Sequence, residues 1–147
     1  TYRAKHRDDR LSRVVLVGSP QNGAELADLA RGKANGVFKT IFGPAGQQLV
    51  TDQEGFVKKL PTPDVEFAVI AGGHPPNGFN PLIDGDDDGI VSVASTRLGG
   101  AADFFYLESM HLALNRNDAA QTAAVRFLKT GKFRENGDPQ PIPREEK

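Results

Sequence analysis

The sequence predicts an α/β protein built on a parallel sheet, and three observations carry that prediction. Apolar runs of strand length occur at residues 12–18, 65–73 and 103–108. The first two are continuous rather than alternating, as in strands buried on both faces. Both also end in glycine, at Gly18 and at Gly72-Gly73. Helices or long loops separate the runs, which is the spacing of a parallel sheet.

Taken in order, the opening "RAKHRDDR" alternates bases with acids and reads as the end of a solvated helix that contains His6. "SRVVLVG" is the first strand, "SPQNG" a turn-rich loop, and "AELADLARG" a short helix stopped by Gly32. Onward to about residue 62 the pattern is irregular. "VFKTIFGPAGQQLV" is helical in pieces and broken at Gly43-Pro44, so 24–62 reads as a cap-like helical excursion rather than part of the sheet. "VEFAVIAGG" is the second strand and "DFFYLE", bulky and aromatic, the third. "RNDAAQTAAVRFLKTG" is the strongest helix. Asn117 or Asp118 caps its start, Ala120, Ala124, Phe127 and Leu128 line one face, and Gly131 ends it. Residues 134–147 carry too little apolar surface to pack independently and are expected to form a poorly ordered tail, unless they lie on a partner.

At 147 residues the chain has the size of one domain. Its 38% apolar content is low for that size, and 16 Gly with 10 Pro point to many loops. A net charge of −1 leaves no electrostatic footprint for nucleic acid. With no cysteine there is no disulfide framework or thiolate chemistry, and the compartment stays undetermined. No segment approaches the roughly 18 apolar residues of a membrane span, and no signal peptide is seen.

In parallel sheets, ligand-binding residues gather on loops at the carboxyl ends of the strands. Here those loops are "GSPQNG", "GGHPPNG" through "DGDDDG", and "ESMHLALN". The second crowds Asp84, Asp86, Asp87 and Asp88 into five positions. Three readings stand side by side. Asp84, Asp86, Asp88 and Gly89 match the opening of a calcium-binding EF-hand loop, but the twelfth position is Ser95 rather than Glu, and prolines interrupt the entering helix. An EF-hand is excluded, while a looser calcium site at Asp84 and Asp86 stays open. The cluster also reads as a solvated turn loosened by Gly85 and Gly89. Finally, Asp88 pairs in principle with His111, which stands just past the next strand, as carboxylate and general base. His74 lies in a Gly-Pro loop at the same edge.

The residues together resemble the C-terminal half of an α/β-hydrolase of the lipase and esterase kind. "LSRVVLVGSPQNGAELAD" is similar to the strand and loop after the nucleophile helix. "DGDDDGIVSVASTRLGG" resembles the segment bearing the catalytic acid, and "DFFYLESMH" the strand that delivers the catalytic histidine. The likeness spans most of residues 3–133 and implies a partial hydrolase domain over 1–133. It makes Asp88 the catalytic acid and His111 the general base. One departure matters: the family places its serine on a G-x-S-x-G elbow, and this sequence contains none. Ser12, Ser19, Ser92, Ser95 and Ser109 all stand in other contexts. The resemblance puts the elbow upstream of residue 1, with "TYRAKHRDD" as the tail of its helix.

The expectation is therefore the acid-and-histidine half of a serine hydrolase for carboxylic esters or acyl lipids. Its partner would be a complementary N-terminal fragment or a second copy in a homo-oligomer. Phe38, Ile41, Phe42 and Leu49 of the cap-like region would line the acyl site or simply pack as core. The alternative is a non-catalytic α/β fragment that serves as a binding or assembly module.

Overall fold

The computed structural model describes residues 10–21 and 61–144. Within them β1 (Arg13–Val17), β2 (Glu66–Gly73) and β3 (Asp103–Glu108) form one sheet in the order β1-β2-β3. Both pairings are parallel, with Val15 opposite Ala68 and Ile70 opposite Phe105. The α/β class and the parallel sheet read from the sequence are thus present, each strand within a residue of its expected bounds. The opening helix with His6 and nearly all of the cap-like region, including Phe38, Ile41, Phe42 and Leu49, lie outside the described residues.

The continuous apolar character of β2 follows from its central place, for Phe67 to Gly73 are all buried. Its side chains divide by parity. Ala68 and Ile70 join Val15, Phe105 and Leu107 beneath the long helix, whereas Phe67, Val69 and Ala71 join Val14, Leu16 and Phe104 on the other face.

Three helices belong to the described residues: α1 (Val93–Thr96), α2 (His111–Leu114) and α3 (Asp118–Thr130). Asn117 caps α3, its side chain accepting from the amides of Ala119 at 2.9 Å and Ala120 at 3.2 Å. Gly131 closes the helix at φ 81°, a left-handed conformation natural to glycine. The buried row is Ala120, Ala123 and Phe127, so the helix is turned slightly from the expected face and Leu128 is 46% exposed. Two small alanines let α3 approach the sheet closely. Phe127 then fills the remaining space against Phe133, with ring centroids 5.1 Å apart.

Residues 134–144 differ from the expected loose tail. The fully buried Asp103 carboxylate accepts from the amides of Phe133 (2.8 Å) and Gln140 (2.8 Å) and pairs with Arg134 at 3.1 Å. Ile142 exchanges backbone hydrogen bonds with Gly100 and Ala101 and packs against the outer face of the sheet. Polar anchoring to one carboxylate, with the backbone bonds and packing of Ile142, holds this segment. Among the described residues no helix is long and apolar enough to cross a membrane.

Candidate active site

All three strands end on the same side, and their ends are tied together. Gly18 N donates to Ile70 O at 2.9 Å, and Ser109 N donates to Gly73 O at 3.1 Å. The loops that follow β2 and β3 are therefore neighbours. The terminal glycines of β2 make room for them: a Cβ on Gly72 would stand 2.6 Å from Ser109 O, and one on Gly73 would collide with the Asp86 carboxylate.

Into this space comes Asp88, its side chain entirely buried. One carboxylate oxygen accepts from the amides of Val91 at 2.7 Å and Ile90 at 3.1 Å. The other meets His111 Nδ1 at 2.8 Å. His111 N also donates to Asp88 O at 2.8 Å, so backbone and side chain are held by one residue. A buried carboxylate in an Asx-type turn has no freedom to leave the ring. The hydrogen bond that His111 donates to Asp88 holds the His111 pKa above its ordinary 6.5, and burial opposes that rise only in part. Nε2 is left without a partner among the described residues and is the nitrogen available to a reactant.

The ring is also packed. A Cβ on Gly18, whose φ is +55°, would lie 3.3 Å from His111 Cε1. Beside the imidazole a cleft of about 520 Å³ is lined by Val17, Leu112, Leu114, Asn115 and Arg116.

Comparison with protein families, with curated proteins and with solved structures finds no match. The functional reading therefore rests on geometry.

The remaining candidates separate from this pair. Asp84 is exposed. Asp86 is spent on the His74 amide at 2.6 Å. Among the described residues no group of three or more His, Asp or Glu is disposed to hold a metal ion. Within the described residues, Asp84 and Asp86 are thus not gathered with a third carboxylate. His74 makes its own pair, Nδ1 to Glu108 at 2.6 Å, and stacks on Phe79. All five serines are described, and none hydrogen-bonds His111. Ser19 accepts from Gln21, Ser92 caps α1, Ser95 returns to Ser92 O, and Ser109 donates to Met110 O.

Two residues escape the sequence reading. Asp87 is fully buried and shapes the loop, accepting from Gly89 N at 2.6 Å and Asn80 N at 3.1 Å. The only available signal is the nearby Asn and Gly content. Tyr106 buries a hydroxyl that makes no well-formed hydrogen bond among the described residues; burial, and then the adjacent Asp86 carboxylate and Glu108, push its phenol above the ordinary value.

Proposed function

We propose that this chain supplies the acid and the histidine of a serine hydrolase acting on carboxylic esters or acyl lipids, the C-terminal half of an α/β-hydrolase. The observation that carries this reading is the Asp88–His111 contact: Nδ1 lies 2.8 Å from a carboxylate whose side chain is 0% exposed. Asp88 fixes the tautomer with the proton on Nδ1, so Nε2 keeps its lone pair. Nε2 takes the proton from a serine hydroxyl as the serine oxygen bonds to the ester carbonyl carbon. It returns that proton to the departing alkoxide when the ester C–O bond breaks. Water then repeats the sequence on the acyl-enzyme. Throughout, the buried carboxylate stabilises the imidazolium.

The serine and its oxyanion donors come from a G-x-S-x-G segment outside this sequence. The apolar side of the cleft, Val17, Leu112 and Leu114, suits an acyl chain. A native mass spectrum of the protein purified from its source tests the arrangement. The expected result is a bound polypeptide carrying G-x-S-x-G, with esterase activity lost in His111→Ala and Asp88→Asn.

One observation favours a second reading, a non-catalytic binding or assembly module: none of the chain's own serines reaches His111. A lone monomer or homodimer that no fluorophosphonate labels would decide for the module.

A further inference from the structure

The cleft beside His111 is chemically divided. Val17, Leu112 and Leu114 give it an apolar side, and Asn115 and Arg116 give it a polar one. Its size, about 520 Å³, falls within the range of roughly 300–1,000 Å³ usual for small-molecule sites. Leu112 is 79% exposed, the most open large apolar side chain among the described residues.

Arg116 stands apart from the other arginines of the sheet and its helix. Arg13 is spent on Glu66 and on the carbonyls of Leu128 and Lys129. Arg126 binds Phe133 O and Glu135, and Arg134 binds Asp103, Phe104 O and Gln140. The Arg116 guanidinium meets no acceptor among the described residues. Asp118, its nearest acidic neighbour in sequence, lines a different cleft with Phe105 and Arg126. The backbone of Arg116 is nonetheless fixed, its amide donating to Ala113 O at 3.0 Å in the turn that closes α2. A guanidinium is always charged and presents a planar fork suited to carboxylate or phosphate oxygens. An uncommitted one beside an apolar wall and a histidine is complementary to an amphiphile with an anionic head.

We propose that this cleft takes an amphiphile with a medium-length apolar chain and an anionic head group, and that Arg116 selects for that charge. The inference rests on the hydrolase reading for calling the ligand a substrate, and makes that substrate an anionic acyl compound. The binding itself needs no nucleophile and is read on this chain as it stands.

The test is a nuclear magnetic resonance titration of the full chain with octanoate and with octanol, which share a chain length and differ in charge. Octanoate is expected to move the His111 ring resonances saturably and to bind more tightly than octanol. Arg116→Gln should weaken octanoate about tenfold, the scale of one lost charge-assisted hydrogen bond, and leave octanol within about twofold. Equal binding of the two probes, an unchanged octanoate affinity in Arg116→Gln, or shifts that bypass His111 would overturn the proposal. Such a failure leaves the Asp88–His111 pair and the hydrolase reading intact. Conversely, charge-selective binding by a protein with no esterase activity in any assembly would sink the hydrolase reading alone.

Discussion

Two histidines stand on the carboxyl edge of the sheet, each with Nδ1 against a carboxylate. His111 meets Asp88 at 2.8 Å and His74 meets Glu108 at 2.6 Å. By distance the second contact is the better one. Their surroundings differ, however: the Asp88 side chain is 0% exposed, and that of Glu108 is 63% exposed. Asp88 is also gripped by two backbone amides and sits under a ring packed against Gly18, whereas the exposed His74 ring stacks on Phe79. An exposed pair is screened by water and exchanges partners at little cost, while a buried and tethered one keeps a single geometry. Fixity and desolvation, rather than closeness, mark the pair suited to catalysis.

The largest effect that would break this contrast is on activity. In the proposed hydrolase, once a serine-bearing half is supplied, Asp88→Asn should lower kcat by about 10⁴-fold, whereas His74→Ala should change it by less than about twofold. Equal losses in an ester-hydrolysis assay would erase the distinction. Next comes stability in urea. Asp88→Ala leaves two buried amides and an imidazole unpaired, a cost of about 2–4 kcal/mol. Glu108→Ala should cost less than about 1 kcal/mol, as expected for an exposed pair. Gly18→Ala sharpens the comparison through packing. It places a Cβ at a φ of +55° and against the imidazole, so about 1–2 kcal/mol is expected. The His111 resonances should move in that variant and those of His74 stay.

The smallest effect is in pH dependence. Because the His111 pKa is raised from 6.5 by Asp88, the pairing stabilises the fold fully below about that value. The contribution fades as pH rises through the raised value. The stability gap between the wild type and His111→Gln should therefore be wider at pH 6 than at pH 9. The His111 titration midpoint should fall in Asp88→Asn.

Much of this edge is legible in the residues alone. Continuous apolar runs ending in glycine mark strands whose carboxyl ends need close approach, and parallel order places the loops after β2 and β3 side by side. That is why Asp88 and His111, 23 positions apart, are foreseeable partners. Asp87 is not foreseeable. It lies within a string of identical carboxylates, and its burial depends on amide donors from Asn80 and Gly89 that only the folded loop supplies. Leu128 fails as a core residue for a related reason. Periodicity names a broad helix face, but the close approach of Ala120 and Ala123 to the sheet selects which edge of it is buried.

Asp103 has a consequence for how the segment 134–144 bears cutting. Its carboxylate lies at the start of β3 with no solvent contact, and two of its four donors among the described residues, Arg134 and Gln140, come from that segment. Cleavage before residue 134 would leave a sequestered negative charge with neither of them. Residues with almost no apolar mass thereby act as a plug, and what they keep dry is a charge rather than a hydrophobic core.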